Sequence, residues 1–286
     1  MAAPLPADVR ADRTPGDDRI EPAMTAAEGV ADTLVGRVAL VTGGGSGIGR
    51  AIAIELASRG ARVAVADLDA SLAAEVAAGC PGAIARVCDV ADPAACVRLA
   101  DEVHRELGRV DILVNNAGLQ HVSPIEVFPV DRWAYLIQVM LVGLFVLTRA
   151  VLPEMYGQGW GRIINIASIH ALVASPNKSA YVAAKHGLLG LTRATALEAG
   201  PHGVTANAIC PAYVRTPLVE RQVADLAATE GLPVPDTIKR VMLAPAAIRR
   251  LIEPVEVARY AAFLCSDDAA SITGAAQVID GGWTAR

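Results

Sequence analysis

The stretch Val38-Ala-Leu-Val-Thr42-Gly-Gly-Gly-Ser-Gly-Ile-Gly49-Arg-Ala-Ile-Ala-Ile-Glu-Leu56 decides how the rest of the chain is read. It begins as a continuous apolar run with strand character, breaks at a cluster of glycines, and resumes as an Ala/Ile/Leu pattern with helical spacing. Glycines permit the tight turn and let backbone N–H groups approach a pyrophosphate, while the helix start presents partial positive charge to it. A glycine-rich turn alone is a weak signal. Between the first strand and first helix of a βαβ unit it becomes a strong one, and Gly43, Ser46, Gly47, Ile48 and Gly49 become candidate dinucleotide contacts.

Working outward, strand-like runs recur at Arg62–Ala66, Ala83–Cys88, Ile112–Val114, Arg162–Ile166, Thr205–Ile209 and Ala276–Ile279. Most are unbroken apolar runs rather than alternating ones, as expected where helices cover both faces of a parallel sheet. Strand–helix alternation at this spacing predicts right-handed crossovers and an α/β fold with a Rossmann-like, doubly wound parallel sheet of about seven strands. The segment from about 213 to 253 breaks the rhythm with Pro233, Pro235 and Pro245. It reads as a short helical substrate lid near the carboxyl ends of the strands.

The chain has 286 residues with 53% hydrophobic and 19% charged composition, and its net charge of −5 carries no basic footprint for nucleic acid. Residues 1–35 hold three arginines against seven acids and show no apolar periodicity, which predicts a disordered acidic extension preceding one domain at 36–286. The longest uncharged apolar stretch, Trp133–Thr148, falls short of the roughly 20 residues of a spanning helix, so no membrane partner is expected. The N-terminus lacks a secretory pattern. Five cysteines without a CxxC read as small hydrophobes in a reducing cytoplasm, and no metal site is expected.

The second strand runs into Asp67, where a carboxylate can accept both ribose hydroxyl hydrogens and repel a 2′-phosphate. No Arg or Lys follows in Leu68-Asp69-Ala70, so NAD is favoured over NADP. Cys88-Asp89-Val90 places Asp89 where an adenine amino group could reach it. Tyr181 and Lys185 stand four apart in an alanine-rich helix and share a face, so the ammonium is expected to favour the phenolate. Ser168 ends a buried strand on the ligand-facing side.

Thr42-Gly-Gly-Gly-Ser-Gly-Ile-Gly49, Asn115-Asn-Ala-Gly118, Ser168, Tyr181-x-x-x-Lys185 and Asp280-Gly-Gly282 together resemble the short-chain dehydrogenase/reductase family. That resemblance covers roughly residues 36–286 and implies an NAD(P) oxidoreductase, usually a homotetramer. Tyr181 would be the general base, Ser168 a donor to the substrate oxygen, and Lys185 a nicotinamide-ribose ligand that lowers the tyrosine pKa. Further cofactor contacts would come from Asp67, Asp89, Val90, Asn116, Ala117, Gly118, Pro211 and Val214.

Narrower stretches are similar to the bacterial D-3-hydroxybutyrate dehydrogenases: Asn116-Ala-Gly-Leu-Gln120-His-Val122, Gly159-Trp to His170, Leu172 to Tyr181, Thr216 to Gln222 and Gly281-Gly-Trp283. In that subfamily the residues matching Gln120, His170, Lys178 and Gln222 hold a substrate carboxylate. This implies reversible NAD-dependent oxidation of (R)-3-hydroxybutyrate, a small hydroxy acid, to acetoacetate. Another 3-oxo or 3-hydroxy substrate is the alternative. The pattern departs at Met140, where the family has an Asn that supports a water relay. A thioether cannot donate a hydrogen bond, so a catalytically impaired, cofactor-binding homologue is a further reading. Pro211-Ala212 also departs from the family's Pro-Gly.

Overall fold

A computed structural model describes residues 33–285. The acidic extension therefore lies almost entirely outside the described residues. Its expected end at 35 is corrected by Leu34, which is 1% exposed, belongs to the core, and donates its N–H to the Arg59 carbonyl over 3.0 Å.

Seven parallel strands form one sheet: β1 Val38–Thr42, β2 Arg62–Asp67, β3 Ile84–Val87, β4 Ile112–Asn115, β5 Gly161–Ile166, β6 Val204–Pro211 and β7 Ala276–Ile279. Their spatial order is β3-β2-β1-β4-β5-β6-β7. The expected Rossmann-like sheet is thus observed, and the order reverses between β1 and β4, which opens a crevice at their carboxyl ends. Central strands β1, β4, β5 and β6 are buried along their whole length, whereas the edge strands β3 and β7 are partly exposed. That burial accounts for their apolar runs.

Helices α1 Gly47–Ser58, α2 Ala70–Ala78 and α9 Pro254–Cys265 cover one face. On the other lie α3 Pro93–Leu107, α4 Val130–Ile137, α5 Gly143–Gln158 and α6 Ser179–Ala199. Their starts follow local chemistry. The Asp69 and Asp92 carboxylates accept first-turn N–H groups of α2 and α3, and Glu253 and Glu256 form a reciprocal capping box on α9. The segment read from the sequence as a lid comprises α7 Pro217–Glu230 and α8 Val234–Thr237, joined to the body by a parallel bridge between Val214 and Ile252. Val219, Val223, Met242, Leu243 and Leu251 give it a small core of its own.

A π-helical turn, Gln138–Val142, joins α4 to α5 into one helical run. That run, Val130–Gln158, spans 29 residues and is long and apolar enough to cross a membrane by length and composition. It therefore exceeds the Trp133–Thr148 stretch read from the sequence. Leu136, Met140, Leu144, Leu147 and Met155 on it are fully buried in the domain, and this packing explains its apolarity. Gly143 starts α5 because nothing larger fits: a Cβ there would lie 2.0 Å from the Val90 carbonyl oxygen.

A ladder of buried amides ties the central strands to the covering helices. Asn115 donates to Asn165 over 2.9 Å and to Thr148 over 3.2 Å, and Asn165 donates to Thr192 over 2.8 Å. The first Asn of the Asn115–Gly118 motif thus serves the interior, leaving Asn116 to shape the crevice.

Candidate active site

Two cavities meet at Ser168 and Tyr181. The larger, about 650 Å³, fills the crevice above β1 and β4. Its walls include Gly43, Ser46, Gly47, Ile48, Asp67, Asp89, Val90, Asn116, Ala117, Gly118, Tyr181, Lys185, Pro211 and Val214, as expected. Gly49 is the exception. A Cβ there would stand 2.2 Å from the Gly43 carbonyl oxygen and 2.4 Å from Asn116 Nδ2, so this glycine serves the packing of α1 behind the loop.

The loop is held open by named bonds. Asn116 Nδ2 donates to the Thr42 and Gly43 carbonyls, each over 2.9 Å, and Thr42 Oγ1 accepts from the N–H groups of Asn116 and Ala117 over 3.1 and 3.2 Å. Ser46 caps α1 without a side-chain bond, leaving the first-turn N–H groups facing the cavity. Gly47 sits at φ +53, a left-handed conformation suited to glycine, with Thr216 at the start of α7 packed against it. Asp67 accepts from the Gly45 N–H over 2.8 Å and from the Asp69 N–H over 3.1 Å. These bonds fix its carboxylate at the rim with acceptor capacity to spare. Asp89 accepts from the Ala91 N–H over 2.9 Å. The cradle suits the adenosine and pyrophosphate of a dinucleotide.

The smaller cavity, about 50 Å³, is lined by Gln120, Ser168, His170, Lys178, Tyr181 and Gln222, which brings the four expected carboxylate contacts together. The buried Gln120 Nε2 has no hydrogen-bond partner among the described residues. Lys178, preceding α6, makes no ion pair among the described residues; its ammonium lies 5.9 Å from the centre of the Tyr213 ring, and burial pulls its pKa down. His170, expected among the carboxylate contacts, is held uncharged. Burial, then the nearby charges of Lys178 and His186, pull its pKa to about 4, so it is neutral. Its Nε2 faces Ser175 Oγ at 2.9 Å and its Nδ1 faces Ser168 Oγ at 3.4 Å, while its backbone N–H donates to Ser168 Oγ over 3.2 Å.

Burial pushes the Tyr181 phenol up to about 12, opposed by the Ser168 hydroxyl, and pulls Lys185 down to about 8. The expected lowering of Tyr181 is therefore not seen in the protein alone. Lys185 Nζ donates to the Ile166 carbonyl over 2.7 Å and lies 5.6 Å from the tyrosine ring centre, a position from which it does not offset the desolvation of the phenol. Met140 is fully buried, with its Sδ 3.7 Å from where a Gly118 Cβ would stand.

Sequence reasoning missed Tyr213 and Leu218 in the smaller cavity and Thr216 and Arg221 in the larger. The first two turns of α7 line both. Thr216-Pro217 carried a helix-start signal, but no local pattern reveals which cavity a lid residue faces.

Comparison with known proteins agrees with this geometry. A family model described as enoyl-(acyl carrier protein) reductase matches residues 43–284. The chain is 46% identical over 256 residues to D-beta-hydroxybutyrate dehydrogenase of Rhizobium meliloti, covering 87% of this chain and 99% of that protein. It is 45% identical over 257 residues to the D-beta-hydroxybutyrate dehydrogenase of Cupriavidus necator, covering 88% and 100%. It is also 42% identical over 257 residues to D-threitol dehydrogenase of Mycolicibacterium smegmatis, covering 88% and 95%. With the seven-stranded parallel sheet and the Ser168, Tyr181 and Lys185 cluster in its crevice, this chain belongs to the short-chain dehydrogenase/reductase family of oxidoreductases.

Proposed function

We propose that the protein catalyses the reversible NAD-dependent oxidation of (R)-3-hydroxybutyrate to acetoacetate. The observation that carries this reading is the small cavity beside Ser168 and Tyr181, where Gln120, Lys178 and Gln222 converge and the Gln120 amide nitrogen is buried without a partner among the described residues. A short hydroxy acid offers few handles besides its carboxylate, so amide and ammonium donors must orient it. His170, being neutral, orients Ser168 through their mutual contacts.

The cofactor, when bound, supplies the hydride acceptor. Asp67 favours an unphosphorylated ribose, which supports NAD over NADP. Ser168 donates to the reacting oxygen, and Tyr181 takes its proton. Lys185, with a pKa of about 8, is mostly an ammonium at neutral pH, and at 5.6 Å from the ring centre it does not by itself lower the phenol. The reading carries no nucleic-acid or membrane partner and a cytoplasmic homotetramer. Half-exposed Phe145 and Trp133 on the α4–α5 run suit a subunit contact.

Measuring NAD reduction across a panel of (R)- and (S)-3-hydroxy acids, with NADP as a control, tests the reading. Preference for (R)-3-hydroxybutyrate with NAD is expected; faster turnover of a neutral polyol or a longer acid would displace it. Burial of Met140 favours a second reading, a cofactor-binding protein with impaired turnover. That reading requires negligible wild-type turnover and its recovery in Met140→Asn. Substantial wild-type turnover removes it.

A further inference from the structure

Ser168 lines both cavities beside Tyr181, and His170 supplies its polar surroundings. The Ser168 oxygen caps the short turn Ile169–Ala171 by accepting the His170 N–H over 3.2 Å. The His170 ring then folds back, placing Nδ1 3.4 Å from the same oxygen and lying edge-on to the Tyr181 ring, with 5.8 Å between centres. On its far side Nε2 stands 2.9 Å from Ser175 Oγ. Ser175 lines neither cavity, so its hydroxyl reaches the site through this ring.

The link that carries Ser175 is held on both sides. Val173 donates its N–H to the Ile169 carbonyl over 3.0 Å, and the Asn177 carbonyl accepts from the Ser123 N–H over 2.9 Å. Asn177 itself takes φ +63, the one left-handed backbone outside glycine among the described residues, where the chain turns into α6.

A hydroxyl offers one hydrogen and two acceptor positions, and a neutral imidazole carries its hydrogen on either nitrogen. The His170 N–H fills one acceptor position of Ser168. Burial and the neighbouring charges of Lys178 and His186 keep the ring from holding both hydrogens. With hydrogen on Nδ1, the ring fills the second acceptor position, and the Ser168 hydrogen is left to point into the cavity. With hydrogen on Nε2, bare Nδ1 takes the Ser168 hydrogen and draws it away from the substrate.

We propose that Ser175 is a positioning residue for hydride transfer: by donating to His170 Nε2 it holds hydrogen on Nδ1, and so aims the Ser168 hydroxyl at the reacting oxygen. No proton travels along this chain; each bond orients the next. Both ring nitrogens are engaged, which leaves the substrate carboxylate to Gln120, Lys178 and Gln222.

The proposal rests on the reading of Ser168 as donor to the substrate oxygen, and the test separates the two. The full chain is labelled with 15N-histidine, and the His170 ring signals are identified by their loss in His170→Gln. Hydrogen on Nδ1 and a bare Nε2 are expected; hydrogen on Nε2 would overturn the proposal, and this readout needs no substrate. Kinetics then compare wild type, Ser175→Ala and Ser175→Thr on whichever 3-hydroxy acid the panel ranks first. Ser175→Ala should lower kcat about tenfold, the worth of one hydrogen bond, with the hydroxy-acid KM and the NADH affinity within about twofold. The isotope effect from deuterium at C3 should rise in the same variant, as hydride transfer becomes the slow step. Ser175→Thr keeps the hydroxyl and should recover kcat to within about threefold of wild type. A link that had merely loosened would instead raise KM through Lys178 and leave the isotope effect unmoved. Unchanged kcat in Ser175→Ala, or a loss confined to KM, would overturn the proposal. Wild-type protein with hydrogen on Nδ1 that turns over no hydroxy acid would sink the proposed activity and leave the ring assignment standing.

Discussion

Acid should destabilise this protein through His170, and the size of the effect can be worked from its surroundings. His170 is 4% exposed and its pKa is about 4, against an ordinary value of 6.5. Between those two values the unfolded chain binds a proton that the folded one excludes, so stability falls as pH drops through 6.5 and goes on falling to about 4. The complete difference corresponds to about 3 kcal/mol, of which about 2 kcal/mol is reached by pH 5. For a domain of this size, roughly 2–4 °C of melting temperature accompanies each kcal/mol. His170→Gln keeps a polar side chain but cannot titrate. Thermal unfolding of both proteins at pH 7.5 and pH 5 should show the wild type losing about 4–8 °C more than the variant. Parallel shifts in the two proteins would refute the placement of a neutral imidazole in the smaller cavity beside Ser168.

Three further outcomes follow from the site and its supports. Lys178→Ala should raise the KM for 3-hydroxybutyrate by about 10–100-fold, the worth of a charge-assisted hydrogen bond, with NADH affinity within about twofold; unchanged substrate kinetics would remove Lys178 from the site. Asp67→Ser should narrow the preference for NAD over NADP by about tenfold or more, because it removes a like charge from the 2′-phosphate position; an unaltered preference in cofactor titrations would place the ribose elsewhere. Gly143→Ala forces a Cβ onto the Val90 carbonyl, a backbone atom with little freedom to yield, and should cost about 1–3 kcal/mol in a melting experiment; a wild-type melting temperature would mean that α5 can shift.

All seven strands were legible as largely apolar runs, most clearly the central ones, where burial on both faces writes itself into the sequence. Their ends were less so: β2 continues to Asp67 and β6 to Pro211, since pairing with a neighbour, rather than local composition, determines where a strand stops. The glycine loop, Asp67 and the Tyr181–Lys185 pair could be placed because backbone-determined spacing fixes them. Protonation states could not. His170 is held well below its ordinary pKa by packing that only the assembled site supplies. Gly49 matched a binding motif yet serves packing, because the same spacing satisfies both needs. The π-helical turn left no signature in a run whose composition suits an uninterrupted α-helix.

Helix α7 has one further consequence. Thr216 packs on Gly47 of the glycine-rich loop, while Gln222, less than two turns along the same helix, lines the smaller cavity. Filling the first cavity therefore sets the position from which the second is completed. In steady-state terms the enzyme should obey a compulsory sequence, dinucleotide on first and off last. NADH should compete with NAD at every concentration of hydroxy acid, whereas acetoacetate should never compete with NAD. Competitive inhibition by acetoacetate against NAD would break that sequence.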